Sequence, residues 1–322
     1  MRSVMLGCLV ASLLWAPGRA QEQTGDLNWR PTVAAPAYIA DGPLIRVDEG
    51  HGSVQTINGR YAGFATLARA DGYRVDAGRG RLDAPGALND VEVLVISNPA
   101  SPRDNSGRVS AFDEAEVEAV ARWVEGGGSL LLAADHAPHG AAAEALAARF
   151  GVGMGKGYLF QIGRDGPTTN LDYPRPALAD HPIITGREPS EAVEVVRTFT
   201  GQSLMAPAGA TILIATDVHA RETPDLPTLQ RLNVRFEAGE PAAALIAELT
   251  RPALPAQGLA FTFGEGRVVV LGEAGMLTAQ IVRYPLGEGG ELLRFGLNTE
   301  GHDGQQFVLN ALHWLSRLLP GC

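Results

Sequence analysis

The sequence predicts an α/β fold: a mostly parallel sheet with helices on both faces, arranged as a three-layer sandwich and carrying a late antiparallel hairpin. Three observations predict it. Short apolar runs recur at 44–47, 91–97 and 129–134, each followed by polar residues. Segments with one apolar face at helical spacing lie between them. Two of the runs lead directly into acid and histidine clusters, Asp48-Glu49-Gly50-His51-Gly52 and Asp135-His136-Ala137-Pro138-His139-Gly140. Ligands of open α/β sheets bind beyond the carboxyl ends of the strands. The two clusters are therefore expected to share one pocket.

The N-terminus has the tripartite form of a signal peptide. Arg2 precedes an apolar stretch over 4–15, and Pro17-Gly18-Arg19-Ala20 supplies a cleavage point before Gln21. The apolar stretch is shorter than the ~20 residues a membrane span needs. Removal of residues 1–20 and export to the periplasm or beyond, without a membrane anchor, is the expectation. Residues 21–39 read as a polar tether and 40–320 as a single α/β domain.

Export removes Arg2 and Arg19, taking the net charge from −10 to −12. So acidic a body argues against nucleic acid, whose phosphates require a basic patch. Cys8 lies inside the leader, leaving Cys322 alone and no intrachain disulfide or thiolate metal site.

In order, 57–70 has helical spacing with Tyr61, Phe64, Leu67 and Ala68 on one face, and 73–75 is a short strand. Val91–Ser97 is apolar enough to be buried on both faces. Asp113 and Glu116 form a capping box for a helix over 113–125, which Gly126-Gly127-Gly128 ends. A strand follows at 129–134 and an Ala-rich helix at 141–150. From 151 to 191 Gly, Pro, Asp and Thr dominate, and so long an irregular stretch is often functional. Strands are expected at 193–199 and 210–215, and a hairpin over 259–271 turned by Glu265-Gly266. A closing helix over 304–319 is capped by Asp303, with Gln306 three residues on.

With these elements placed, the chain resembles the class I glutamine amidotransferase-like superfamily, and within it the trehalose-utilisation-protein-like branch. The residues that carry the resemblance are the helix 113–125, its glycine break, the strand and turn through Gly140, the hairpin around 264–273, and Asn310-Ala311-Leu312-His313-Trp314-Leu315. The resemblance covers roughly 40–320 and implies the fold. Amidotransferases of that superfamily place a Cys nucleophile in the turn after the central strand, with a downstream His-x-Glu. Here the turn holds Asp135 and His136, which argues against glutaminase chemistry.

Carboxylates and neutral imidazoles are common zinc ligands. Asp48, His51, Asp135 and His139 are accordingly expected to hold a divalent ion, zinc or similar. His136 is the expected catalytic imidazole, with Glu49 or Glu273 handling protons. Gly50 and Gly52 would let a ligand approach the backbone, and His302 would line the pocket. The alternatives are capping or turn-bonding carboxylates and solvated imidazoles. His181, His219 and His313 read as structural. Gly153-Met154-Gly155-Lys156-Gly157 lacks the spacing and hydroxyl of a phosphate loop, so no nucleotide cofactor is expected. Two functions fit: a metal-dependent hydrolase of a small polar or carbohydrate-derived substrate, or a non-catalytic module binding a periplasmic glycan or small ligand. A metal-free acid–base enzyme lies between them.

Overall fold

The computed structural model describes residues 22–101, 109–163, 166–216, 218–249, 251–252, 255–284 and 291–321. The expected signal peptide, Cys8 and Cys322 lie outside them. The described residues form a nine-stranded central sheet. Arg74–Gly78, Leu44–Asp48, Val91–Ser97, Ser129–Ala133 and Gly266–Leu271 stand side by side and parallel. Their carboxyl ends therefore share one edge, as expected.

The antiparallel part is larger than one hairpin. Ala256–Phe263 pairs with Gly266–Leu271 on one side, and on the other with Leu204–Met205 and Thr211–Ala215; Gly153–Met154 extends the sheet beyond Leu204–Met205. The hairpin turn consists of Gly264 and Glu265, since Phe263 opposes Gly266. Gly264 takes φ of +58°, a left-handed conformation glycine adopts at little cost.

Alternation along the parallel strands builds two cores. Val93, Val95, Leu131 and Val269 face helices Ala62–Ala70 and Gly304–Leu315, meeting Phe64, Leu67, Phe307 and Trp314. Leu94, Ile96, Leu130 and Leu132 face helices Glu114–Glu125 and His139–Arg149, meeting Val117, Val120, Val124 and Leu146. Each such side chain contributes about 1.5–3 kcal/mol on burial, which fixes the strand order and hence the edge that carries the clusters.

Several expectations are corrected. Glu22–Gly25, read as tether, is a strand paired with Ala279–Tyr284, which in turn pairs with Glu291–Gly296. The first helix begins at Ala62 rather than Ile57. The closing helix ends at Leu315, and Asp303 makes no side-chain cap to it. Its carboxylate instead accepts the backbone N–H groups of Glu194 (2.8 Å) and Val195 (2.9 Å). The stretch read as irregular contains strands Tyr158–Gly163 and Gly166–Thr168, which pair with each other, and Asn170–Pro174, which pairs with Val195–Phe199. Tyr158–Gly163 pairs with Ala220–Thr223, and helices Leu226–Glu237 and Ala242–Glu248 cover it through a separate cluster of Phe160, Ile162, Leu229, Leu232 and Leu245. No helix among the described residues is long and apolar enough to cross a membrane.

Candidate functional site

The second cluster forms the accessible part of the site. Asp135 leaves the sheet just after Ser129–Ala133. The turn is held from two sides: Asn98 Oδ1 accepts the Asp135 N–H at 2.8 Å, and Gln202 Nε2 donates to the carbonyls of Ala134 (2.7 Å) and Asp135 (3.0 Å). Gln202 is fully buried, and its Oε1 also accepts the Lys156 N–H at 2.8 Å. Nothing in the sequence around Gln202 marks it for this role.

His136 is partly exposed. Its Nδ1 lies 2.9 Å from the Ala137 carbonyl, its Nε2 lies 3.8 Å from Asp135 Oδ1, and its ring stacks on Tyr158. His139 Nδ1 lies 3.1 Å from the Pro99 carbonyl. A carbonyl only accepts, so both rings are protonated on Nδ1 in their neutral form and carry the lone pair on Nε2. Burial lowers the His139 pKa further than the neighbouring Asp135 charge raises it, which keeps that ring neutral around pH 7.

Beneath Asp135 lies a buried polar floor. Glu273 follows strand Gly266–Leu271 and is 1% exposed. Its carboxyl accepts the N–H groups of Gly275 and of Met276, the latter at 2.7 Å. Burial and then the Asp135 charge raise its pKa well above the ordinary value, against the pull of those donors. The Tyr61 hydroxyl bonds Ser97 Oγ at 2.5 Å and donates to the Ala274 carbonyl at 3.2 Å. Burial raises the pKa of that hydroxyl against the pull of the Ser97 bond, and the charges of Glu273 and Asp135 add to the rise. Tyr61, Ser97, Asp135 and Glu273 thus join three strand ends to the first helix. Gly201 makes this junction possible: at φ +83°, a Cβ there would lie 2.3 Å from the Gly272 carbonyl.

The first cluster does something else. His51 Nδ1 meets Asp48 Oδ2 at 2.8 Å and its Nε2 meets Glu116 Oε1 at 3.0 Å. All three side chains are buried. Burial lowers the His51 pKa, but the bonds and charges of Asp48 and Glu116 outweigh it, and the net shift is upward. Glu116 has the expected capping box with Asp113 and adds this second role.

The four expected ligands therefore do not assemble. Asp48 and His51 are engaged with each other and Glu116, while Asp135 and His139 stand apart. Both groups do touch the segment 98–101, since Ala100 N–H donates to the His51 carbonyl and Pro99 receives His139. Among the described residues, no group of three or more His, Cys, Asp or Glu is arranged to hold a metal ion.

Three further expectations are corrected. Glu49 is not free for proton transfer: Oε1 accepts the Ile57 N–H at 2.9 Å and Oε2 pairs with Arg79 at 3.0 Å. Gly50 and Gly52 admit protein backbone rather than a ligand. Added Cβ atoms there would lie 2.8 Å from the carbonyls of Gly80 and Ala100 respectively. His302 bonds Thr299 Oγ1 at 2.8 Å and accepts the Gly304 N–H at 3.0 Å, which ties down the start of the closing helix. Among the other histidines, His181 and His313 are buried and structural. His181 accepts the Ile183 N–H, and burial brings its pKa down to about 4. His313 Nε2 meets Asp71 at 2.7 Å.

No protein-family model matches the chain, and no curated protein matches it in sequence. Solved structures do. The mmIFT52 N-terminal domain superposes with a TM-score of 0.55 at 14% identity, over 84% of this chain and 97% of that one. A putative ThuA-like protein from Bacteroides uniformis gives 0.39 at 12% identity, over 88% and 94%. The cytoplasmic protein STM1381 from Salmonella typhimurium gives 0.39 at 12% identity, over 86% and 98%. The first likeness shows a shared α/β fold, and a fold alone assigns no activity.

Proposed function

We propose that the protein is an exported hydrolase of a small polar or carbohydrate-derived substrate, with His136 as the general base that activates water. One observation carries this reading. The His136 ring stands at the open end of the sheet with Nδ1 on a backbone carbonyl, so Nε2 offers its lone pair beside Asp135. A base held in one tautomer next to a carboxylate is suited to take a proton and keep the resulting charge.

The remaining groups fit the same chemistry. Asp135, partly exposed, stabilises the imidazolium that forms. Glu273, buried beneath it with a raised pKa, retains its proton further up the pH scale than an ordinary carboxyl. Of the two carboxyls, Glu273 is the one suited to act as an acid. His139 adds a second neutral imidazole. Asp135 and His139 are of the right type for zinc, but they are a thinner set than the three protein ligands of catalytic zinc sites. The reaction is therefore written through His136 and needs no ion.

The test is a panel of esters, amides and glycosides offered to the mature chain, with and without EDTA. Turnover that survives EDTA supports the proposal. Turnover lost to EDTA and restored by zinc overturns the metal-free form. Saturable binding of a glycan with no turnover on any substrate overturns the hydrolase and leaves a binding module.

A further inference from the structure

His136 and Tyr158 stack at the site, and the Tyr158 hydroxyl donates to the Ala137 carbonyl at 3.3 Å, the same oxygen that lies 2.9 Å from His136 Nδ1. The orientation of the imidazole therefore depends on how the turn at Asp135 sits against the start of strand Tyr158–Gly163. One buried side chain, Gln202, is bonded to both segments. At one end its Nε2 donates to the carbonyls of Ala134 (2.7 Å) and Asp135 (3.0 Å), immediately before His136. At the other its Oε1 accepts the N–H of Lys156 at 2.8 Å, two residues before Tyr158.

The amide stands in a rigid frame. Main-chain bonds tie Leu159 N–H to the Gly201 carbonyl (2.9 Å), Gly155 N–H to the Ser203 carbonyl (2.8 Å) and Gln202 N–H to the Gly272 carbonyl (2.7 Å). These ties hold 155–159 against 201–203 and against the residue before Glu273, and the Gln202 side chain carries the frame across to the turn. Gly140 lets the following helix start directly on that amide, since an added Cβ there would lie 2.6 Å from Nε2. Two of its neighbours are strained. Asn98, which accepts the Asp135 N–H, has φ of +42°, and Lys156 has φ of +63°. Non-glycine residues persist in that conformation where the surroundings hold them. Gly155-Lys156-Gly157, which does not fit a phosphate loop, thus has another use: an added Cβ on Gly157 would lie 2.6 Å from Glu222 Cγ, and Lys156 turns its N–H to Gln202.

Resting on the reading of His136 as the base, we infer that Gln202 is a positioning residue: its amide, bonded at one end to the turn and at the other to the strand start, keeps the His136 ring in register with Tyr158. A primary amide suits the task, with two donors at one end, an acceptor at the other and no charge to desolvate. Removing it leaves two carbonyls and an N–H unpaired in the interior, and these regain partners by moving the segments that carry them. A misplacement of about 1 Å at a reacting group costs about 100-fold in rate.

The experiment follows the His136 ring by NMR in the mature chain labelled with nitrogen-15 histidine. Wild type is compared with Gln202→Met, Gln202→Glu and, as a control for lost stability, Val124→Ala in the core of helix Glu114–Glu125. Deprotonated His136 of wild type should be a single Nδ1–H tautomer, with ring protons shifted upfield by the Tyr158 ring. Gln202→Met is close in size but has no amide; it should give a mixture of tautomers and lose the upfield shift. Gln202→Glu keeps the acceptor for Lys156 and, when protonated, one donor for the carbonyls, and should recover part of both signals. Val124→Ala should lower the melting temperature and leave His136 unchanged. On any substrate that is turned over, Gln202→Met should lower kcat about 100-fold with KM near that of wild type.

Wild-type His136 signals in folded Gln202→Met overturn the inference. So does a Val124→Ala control that disturbs His136 as much as Gln202→Met does, because the effect is then one of general stability. Should Gln202→Met fail to fold, Gln202→Glu carries the test. Ionising its carboxyl in alkaline solution, followed by the carbon-13 shift of that group, removes the donor; the tautomer mixture must then appear, and its absence overturns the inference. The NMR readout is separate from turnover. A His136 that responds to Gln202 in a protein that hydrolyses nothing keeps the positioning geometry and removes the hydrolase, and turnover with an unmoved His136 does the reverse.

Discussion

The rings of His136 and Tyr158 lie face to face, with centroids 4.1 Å apart and planes 18° from parallel. One residue comes from the turn at the centre of the parallel sheet. The other opens a strand of the small capping sheet, in a stretch whose composition reads as loop. The contact fixes the plane of the imidazole, while the Ala137 carbonyl fixes its tautomer, so base and orientation come from different parts of the chain.

His136→Ala is expected to abolish turnover. It should cost about 1 kcal/mol of stability, the scale of one aromatic contact, because the ring is partly exposed. Activity assays beside melting curves check this. Full-rate turnover by a normally folded mutant would remove His136 from the mechanism. Tyr158→Phe, which keeps the stacking surface, should retain most activity, and Tyr158→Leu should lose more.

The Asp48–His51–Glu116 cluster should govern stability rather than catalysis. His51→Ala leaves two buried carboxylates without their cation and should cost about 3–5 kcal/mol, measured by denaturant unfolding. The folded-state pKa of His51 is raised above 6.5. Its contribution is therefore complete below pH 6.5 and is lost as pH rises through the folded value. The stability gap between wild type and His51→Ala should narrow above that pH.

Glu273 predicts a second, more acidic window. Its folded pKa lies well above 4.5, so the folded state favours the protonated form. That preference stabilises the fold fully below pH 4.5 and fades as pH rises through the folded value. Glu273→Gln loses one acceptor for the Gly275 and Met276 amides and should cost about 1–3 kcal/mol in acid. Melting temperatures across pH should show the gap to wild type closing toward neutrality; a constant gap would contradict the assignment.

Gly201→Ala should destabilise by about 1–3 kcal/mol from backbone strain alone, with more from the close Gly272 carbonyl. It should also lower turnover, because Gly201 adjoins both Glu273 and Gln202. Unfolding and activity measured together test whether the two losses move in step.

What the sequence reveals depends on how local the cause is. The Asp113–Glu116 capping box was readable because both partners sit within one helical turn. Val91–Ser97 was readable because burial on both faces leaves a nearly continuous apolar run. Asp303 shows the opposite case: it has the position of a helix cap, but its oxygens take the amides of Glu194 and Val195, which no local pattern announces. The strands within 151–191 are rich in turn-forming Gly, Pro, Asp and Thr, and Asn170–Pro174 and Tyr158–Gly163 find partners in Val195–Phe199 and Ala220–Thr223, which no local pattern announces. Asp135, His136 and Glu273 stand just after strands, where the apolar runs of the sequence put them. Asp48 and His51 followed the same rule and were misassigned, since nothing local shows that Glu116 lies opposite. Gln202 belongs to no motif, and only the folded arrangement brings it to the turn at Asp135.

The contact between Gly25 and the Gly59–Arg60 backbone bears on how the chain can be handled. The N-terminal segment ahead of the sheet looks disposable, yet Glu22–Gly25 braces the segment that carries Arg60 and Tyr61. Trimming a recombinant chain to residue 40, where the first pattern of buried strands begins, would leave the central sheet whole while removing that brace. A shortened chain that is soluble and well folded by circular dichroism could thus hold Tyr61, and the Ser97 and Ala274 groups it bonds, in a looser arrangement, and its starting residue is itself an experimental variable.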